Sequence, residues 1–408
     1  MSAFLARRMK SSLPEPSHEI VAAVRGYHAE LVQLRHAIHT EPETGYEEVK
    51  TGNRIAAYLS ALGIPVHRGI GRTGLVGVIE GQSTASGRSI GLRADMDAIP
   101  IQELGNAAYR SCVPGKMHGC GHDGHCAVLL GAARYLAQTR RFDGTVYLYF
   151  QPGEEGHAGA REMIRDGLFE RFPAERVFAL HNWPTLPAGT IAFNSGPMMA
   201  AIDRFSITVT GKGGHGAHPH QTVDPILAAS QIVTAVHTIV SRNVNPVQAA
   251  VISFQSFQAG TPDALSVIPP KAHLHGMVKW FDKATQAVLR ERLIATAEAT
   301  AVAMGASAVV HYEELYPPTV NAPAEAALLE RVARKVVGDA RVIADLEPSM
   351  GSEDFAFMLQ QRPGAYFRLG QGMVDGRFLH HPEYDFNDET IPVGSAVFAA
   401  LVEEALPL

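Results

Sequence analysis

The sequence predicts an α/β protein: a helix-covered, mostly parallel sheet forms the main domain, and a ferredoxin-like α+β module is inserted in it. Short apolar runs alternate with helical stretches between about residues 20 and 196. Between 197 and 315 the order changes to β-α-β-β-α-β, which is typical of a ferredoxin-like unit. The first pattern resumes from 316 to 408. We therefore expect a discontinuous main domain, residues 20–196 and 316–408, with an inserted module at 197–315.

The first segment contains strands and helices in alternation. Helical spacing of apolar residues predicts helices at residues 21–39, 49–62, 122–138 and 157–168. Glycine-bounded apolar runs predict strands at residues 75–79, 89–92, 145–150 and 177–180. Ligands of an open α/β sheet bind beyond the carboxyl ends of its strands. Polar residues directly after these strands are therefore the first candidates for chemistry.

The inserted segment has the periodicities of a half-buried antiparallel sheet with two helices. Alternating or apolar runs predict strands at residues 205–210, 249–257, 272–281 and 308–315. Helical spacing predicts helices at residues 223–240 and 284–304, and a helix from about 324 returns the chain to the main domain.

Composition and charge exclude several classes of protein. The 408 residues are 46% apolar and 19% charged, which is the balance of a globular protein. No window approaches the ~18 apolar residues of a spanning helix, and the start, MSAFLARRMKSS, is too short in apolar residues for a secretory signal, so we expect a cytoplasmic protein. A net charge of −6 argues against nucleic-acid and anionic-membrane surfaces. Three clustered cysteines are too few for a disulfide framework.

The segment Met117–His125 concentrates groups that can bind a metal. Cys120 and His122 stand two residues apart in a glycine-rich loop that leads into a predicted helix, and glycine lets the backbone fold tightly around an ion. In isolation, a buried cysteine beside helix-capping residues explains this pattern equally well.

Carboxylates and histidines follow other predicted strands. Glu154 and Glu155 come shortly after the strand that ends at Phe150, so one can ligate a cation while the other handles a proton. Asp97 follows another strand, where an aspartate can orient a ligand imidazole. His181 follows a third strand, and His380 with its neighbour stands in a distant polar loop.

Together these residues indicate a two-metal hydrolytic site. The expected ligands are a thiolate, imidazoles and a carboxylate: Cys120, His122, Glu155, His181 and one of His380 and His381. Five such donors suit two divalent ions, and the mixture favours zinc or manganese over magnesium or calcium, with cobalt or nickel as alternatives. Two ions and a free carboxylate activate water at neutral pH, and amide or ester carbonyls are its natural targets.

The motifs resemble those of metallopeptidase family M20, in its subfamily of N-acyl-amino-acid amidohydrolases. That subfamily includes hippurate hydrolases, auxin-conjugate hydrolases and aminoacylase-like enzymes. The resemblance runs from about residue 34 to 392, and its motifs occur in the family's order: RHAIHTEPETGYEE, LRADMDAIP, MHGCGHDGH, FQPGEEG, ALHNWP, GKGGHGAHPH, GSEDFAFM and LHHPEYDFND. Several long motifs in one order make the resemblance specific.

The resemblance implies a role for each matching residue. Two divalent ions would be bound by Cys120, His122, Glu155, His181 and His380, with His381 in a variable slot. Glu154 would be the general base, Asp97 would support a ligand, and His215 would be a lid histidine that hydrogen-bonds the oxyanion, often across a dimer. The main domain, residues 20–196 and 316–408, would then be the catalytic domain. The inserted module, residues 197–315, would be its lid and dimerisation domain, in a homodimer or a higher homo-oligomer.

Two positions depart from the family pattern. The lid usually carries Asn-Val-Ile-Pro and Gly-Thr-x-Arg, whereas this chain has Ser266 and Lys279 at the asparagine and arginine positions. Asparagine and arginine suit a substrate's carbonyl and carboxylate, and lysine cannot reproduce the bidentate fork of arginine. We therefore expect Ser266 and Lys279 to bind substrate and to alter its identity.

The leading hypothesis is a metal-dependent amidohydrolase that releases an amino acid from an N-acyl amino acid or similar small amide. Three alternatives stay open at this point. They are a dipeptidase or carboxypeptidase of the same family, a non-catalytic metal-binding or ligand-binding homologue, and a hydrolase in which Cys120 is the nucleophile and His122 the base.

Overall fold

A computed structural model describes residues 18–373 and 375–408. These residues divide into two compact units. The first consists of residues 18–198, Val320–Glu347 and Asp354–Leu408, and the second of Met199–Thr319 and Pro348–Glu353. The starting segment MSAFLARRMKSS lies outside the described residues. Within them, no helix has the length and apolar character needed to cross a membrane.

The first unit is built around an eight-stranded sheet. Its strands lie in the order Val66–Ile70, Gly74–Glu80, Thr145–Gln151, Ser89–Asp95, Arg176–Trp183, Gly364–Gly370, Ile191–Ala192 and Val342–Ile343. The four central strands, from Thr145–Gln151 to Gly364–Gly370, are parallel to one another. Antiparallel pairs lie on both sides of them. The mostly parallel sheet predicted from the sequence is confirmed.

Helices cover this sheet and make its centre a closed core. Every residue of the strands Ser89–Asp95 and Gly364–Gly370 is buried, as expected for parallel strands covered on both faces. The helix His122–Thr139 is itself buried along most of its length. The helices of the unit are Glu19–Arg25, His28–Thr40, Val49–Ala61, His122–Thr139, Glu154–His157, Gly159–Arg165, Leu168–Arg171, Pro323–Val337, Ala356–Gln361 and Ile391–Ala405.

Local backbone geometry changes three of the predicted elements. The single helix predicted at 21–39 is two helices, because Gly26 caps the first by donating its N–H to Ala23 and Val24 carbonyls. The helix predicted at 157–168 begins only at Gly159, after Ala158 at φ 55°, and ends at Arg165, shortly before Gly167 at φ 83°. The strand predicted at 177–180 extends to Trp183, so His181 lies inside a strand and not after it.

The second unit is a four-stranded antiparallel sheet with two helices. Its strands lie in the order Val251–Ala259, Lys271–Trp280, Ala201–Thr210 and Ser307–Tyr316. The helices Pro225–Arg242 and Lys283–Ala303 share a core with residues that alternate along the strands, among them Phe205, Ile207, Val209 and Leu274. This arrangement confirms the predicted ferredoxin-like module. A separate ribbon pairs Gly214–His215 with Val267–Ile268.

Candidate active site

The candidate site lies at the carboxyl end of the central strands of the first unit. Asp95 and Gln151, the last residues of two neighbouring parallel strands, are register partners. Just beyond them the chain carries Asp97 on one side and the pair Glu154 and Glu155 on the other. Parallel strands end at the same edge of a sheet, so segments that are distant in sequence converge there.

The structure brings the five expected ligands together in two groups that share Cys120. Potential ligand atoms of Cys120, His122 and His181 lie within 4.8 Å of one another, and so do those of Cys120, Glu155 and His380. Cys120 Sγ lies 3.5 Å from His181 Nε2. His380 Nε2 lies 3.0 Å from Glu155 Oε1. Of the two neighbouring histidines His380 and His381, it is His380 whose ring groups with Cys120 and Glu155.

The imidazoles are oriented as metal ligands are. His122 Nδ1 lies 2.8 Å from the Asp97 carbonyl oxygen, and His181 Nδ1 lies 2.8 Å from that of Asn182. A carbonyl oxygen only accepts, so Nδ1 carries a proton in both rings, and Nε2 is the atom of each ring available to a metal. His122 Nε2 is buried without a hydrogen-bond partner. An orphaned nitrogen beside a thiol and a carboxylate fits a bound divalent cation.

The Cys120 thiol is in an environment that suits a ligand and not a free nucleophile. Burial raises its pKa well above the usual value, and the charges of Glu155 and Glu154 act in the same direction. A nucleophilic cysteine needs the opposite shift. A bound cation reverses it, because a coordinated thiol loses its proton. The cysteine-nucleophile alternative therefore loses its physical basis.

Asp97 holds the two adjacent glutamates in place. Its two carboxylate oxygens accept hydrogen bonds from the backbone N–H groups of Glu154 and Glu155, each at 3.0 Å. Glu154 is 7% exposed, and its Oε1 lies 3.4 Å from the Asp354 backbone nitrogen. Carboxylate oxygens of Glu154 and Glu155 group with a His122 ring nitrogen within 4.8 Å. A second carboxylate thus stands beside the proposed ligand Glu155.

A buried layer of charged residues that the sequence analysis left out supports the site. Asp95 accepts from His125 Nδ1 at 2.5 Å and from Arg93 Nη1 at 2.8 Å. Arg93 also donates to Asp354 at 3.0 Å and to Gln151 at 2.8 Å. One signal pointed to His125, because it stands three residues after His122 on a helix and so shares its face. Asp354 lies in the motif GSEDFAFM, but nothing in that motif indicates its partner Arg93.

The remaining expected residues lie in the second unit. His215 and Ser266 adjoin on the short exposed ribbon, where the Gly216 N–H donates to the Ser266 carbonyl at 2.7 Å. The Ala217 N–H donates to His215 Nδ1 at 3.1 Å, which leaves the Nε2–H as an outward donor. Lys279 lies on a different strand, is 7% exposed, and donates to Ser352 Oγ at 2.7 Å.

Comparisons with known proteins identify the family. The model of peptidase family M20/M25/M40 matches residues 91–404. A hippurate hydrolase from Campylobacter jejuni is 38% identical over 94% of this chain and 98% of its own length. Thermostable carboxypeptidase 2 of Saccharolobus solfataricus is 38% identical over 91% of this chain and 94% of its own.

A solved structure agrees with these sequences. The YXEP protein of Bacillus subtilis, described as a dinuclear metal-binding peptidase of family M20, is 33% identical, covers 94% of this chain and 99% of its own, and superposes with a TM-score of 0.81. The family and this neighbour support a divalent-metal site of the kind that the donor groups fit. The chain belongs to peptidase family M20/M25/M40 and is one of its metal-dependent, amide-cleaving hydrolases.

Proposed function

We propose that this protein hydrolyses N-acyl amino acids, or similar small amides, to a carboxylic acid and a free amino acid or amine. The observation that carries the proposal is the convergence of Cys120, His122, Glu155, His181 and His380, with Glu154 as a further carboxylate beside them. The hippurate hydrolase relative, named for an N-acyl amino acid, supports this substrate class. Cytoplasmic residence stays a prediction from the sequence.

The ligand residues would hold two divalent ions, with Cys120 shared between the two donor groups. When bound, the ions supply Lewis acidity to a carbonyl oxygen and lower the pKa of water. Thiolate and imidazole donors favour zinc or manganese, with cobalt or nickel as alternatives. Asp97 would keep the ligand set in place through His122 and through the backbone of Glu154 and Glu155.

Glu154 would be the general base. Its carboxylate would accept a proton from the attacking water and return it to the amide nitrogen as the carbon–nitrogen bond breaks. The products are then an acid that gains the water oxygen and an amine that gains the proton. Asp97 would orient Glu154, because Asp97 Oδ1 accepts a hydrogen bond from the Glu154 backbone N–H at 3.0 Å. Such a base, standing beside the ligands, argues against a homologue that binds without turnover.

Residues of the second unit would recognise the substrate. Lys279 is a buried ammonium whose described hydrogen bond is to a serine hydroxyl, and a substrate carboxylate would give it a charged partner. Ser266 would contact the acyl carbonyl region, and the His215 Nε2–H would donate to the oxyanion. His215 would act in the site of a neighbouring subunit, which makes a homodimer part of this proposal.

The experiment is release of free amino acid from a panel of amides. Chelator-stripped enzyme is resupplied with zinc or manganese and offered N-acetyl, N-benzoyl, indole-acetyl and long-chain acyl amino acids, and dipeptides. Metal-restored cleavage of an acyl class supports the proposal. Cleavage of dipeptides alone would replace it with the peptidase alternative, which the carboxypeptidase relative favours. A metal-loaded protein that cleaves nothing in the panel would overturn it.

A further inference from the structure

Asn182 is a fully buried amide that touches several parts of the candidate site. Its Nδ2 donates to the Cys120 carbonyl oxygen at 2.6 Å and lies 2.8 Å from His125 Nε2. Its Oδ1 accepts from the Tyr384 hydroxyl. Its own carbonyl accepts from the ring of His181, the residue before it. One side chain therefore meets the cysteine loop, the following helix and the loop after His380.

The orientation of this amide is determined by its partners. A carbonyl oxygen only accepts, so the atom facing Cys120 must be the NH₂ group, and Oδ1 faces the Tyr384 hydroxyl. The second Nδ2 hydrogen then points at His125 Nε2, which must be unprotonated. His125 consequently carries its proton on Nδ1 and donates it to Asp95 at 2.5 Å. Each hydrogen in this chain of contacts has a defined place.

Steric contact at Gly121 is a second, independent observation. Gly121 lies between Cys120 and His122, has φ +85°, and begins the helix that carries His122. A Cβ atom at this position would lie 2.5 Å from Asn182 Nδ2 and 2.8 Å from Cγ. The amide thus occupies the space that a side chain would need. Its volume, as well as its hydrogen bonds, sets how closely the Cys120–His122 turn approaches the strand of His181.

We infer that Asn182 is a second positioning residue of the metal centre, beside Asp97. Its amide ties the Cys120 turn, the His125–Asp95 pair and the Tyr384 loop to the strand that carries His181. A leucine of similar shape keeps the volume and the backbone hydrogen bonds, including that of the residue 182 N–H to His125 Nε2 at 3.0 Å, but loses every hydrogen bond of the amide side chain. Buried groups that orient metal ligands typically contribute 10- to 100-fold to metal affinity or activity. The inference rests on the ligand set proposed above.

The test uses cobalt-exchanged protein and compares matched variants. Asn182→Leu removes the amide, and Tyr384→Phe removes only the hydroxyl that orients it. The control is Asn321→Leu, because Asn321 is equally buried but bonds backbone atoms of Asn194 and Tyr366, neither of which is a proposed ligand. The readouts are the cobalt–thiolate charge-transfer absorption, Co²⁺ affinity by chelator competition, and the melting temperature.

We expect Asn182→Leu to bind Co²⁺ about 10- to 100-fold more weakly and to shift the thiolate band, with a smaller change of the same kind in Tyr384→Phe. Asn321→Leu should lower the melting temperature and leave both metal readouts unchanged. Unchanged affinity and band in Asn182→Leu would overturn the inference. Should that variant not fold, Tyr384→Phe decides by the same criterion.

Cys120→Ser separates this inference from the ligand assignment. Loss of the thiolate band in Cys120→Ser, together with unchanged metal readouts in Asn182→Leu, would refute only the positioning role. A thiolate band that persists in Cys120→Ser would refute the ligand set itself. The expected result is loss of the band in Cys120→Ser and its displacement in Asn182→Leu.

Discussion

The buried part of the candidate metal site and the ribbon that carries His215 are held in different ways within their respective units. In the first unit, His122, Glu154 and the Cys120 turn are buried and bonded through Asp97 and Asn182. In the second, His215 lies on the short ribbon, and the exposed Ser266 directly precedes the other strand of that ribbon.

The difference teaches how one family can keep its chemistry and change its substrates. A change at a buried donor leaves other buried polar atoms unsatisfied, so it costs more than the group itself contributes. A change on an exposed ribbon leaves few such atoms. Of the two departures from the family pattern, Ser266 is exposed beside this ribbon, whereas Lys279 is a buried residue of the second unit. The following experiments break or sharpen this contrast, in order of decreasing effect.

The largest effect is expected from the buried carboxylate of the first unit. Glu154→Gln keeps the shape of the side chain but cannot accept the proton of water. We expect kcat to fall by ~10²- to 10⁴-fold, the range of general-base catalysis, while the bound metal stays constant. Turnover of the best panel substrate and metal analysis of the same sample check this. Turnover of Glu154→Gln near the wild-type rate would show that Glu154 is not the general base.

The exposed ribbon should matter for rate but not for metal binding. His215→Ala should lower kcat by ~10²- to 10³-fold, as loss of an oxyanion donor does, with little change in KM. His218→Ala is the matched control, since its exposed ring lies 5.3 Å from that of His215. If His215 acts across a dimer, mixing the Glu154→Gln and His215→Ala proteins should restore activity. A mixed dimer then has one site with an intact Glu154 and an intact His215. Equal losses in the two histidine variants would contradict the specific role.

Asp97 should affect metal binding more than any substitution on the ribbon. Asp97→Asn keeps the size of the side chain but loses one of the two acceptors that hold the Glu154 and Glu155 backbone. We expect metal affinity to fall by ~10- to 100-fold, measured by chelator competition. His215→Ala, measured in the same way, should retain wild-type affinity. Equal metal affinities in Asp97→Asn and His215→Ala would contradict the proposed difference between the two units.

The sequence predicted what strand ends and periodicity determine. Alternating elements predicted the parallel sheet, and the β-α-β-β-α-β order predicted the insertion. The position of Glu154 and Glu155 after the strand Thr145–Gln151 predicted the edge where they meet the other donors. These features depend on local residue patterns or on the order of the elements, so they can be predicted from a single sequence.

Contacts between distant segments could not be predicted in this way. Asn182 bonds Tyr384, and Arg93 bonds Asp354, across separations of 202 and 261 residues. A lone asparagine or arginine in a strand gives no sign of such a partner, because burial and packing decide it. His181 was expected after its strand but lies within it, because pairing with the strand Gly364–Gly370 continues as far as Trp183.

The smallest effect, and the sharpest test of the second unit, concerns Lys279. Burial lowers the pKa of Lys279 to about 8. Lys279→Met should raise KM for anionic substrates about tenfold and leave kcat unchanged, because a charge-assisted hydrogen bond contributes ~1.5 kcal/mol. In the wild type, KM should rise as the pH passes upward through about 8, since the ammonium loses its proton there. The KM obtained from initial rates at each pH between 6 and 10 checks this prediction.

Lys279→Arg is the matched control, because a guanidinium stays charged throughout this range. Its KM should not change near pH 8, whereas the wild-type KM does. Stability should change with the same group: below about pH 8 the buried ammonium costs folding free energy, and this cost disappears as pH rises, because the unfolded chain then binds more protons. Parallel KM profiles in the lysine and arginine proteins would show that another group titrates and that substrate binding does not use this charge.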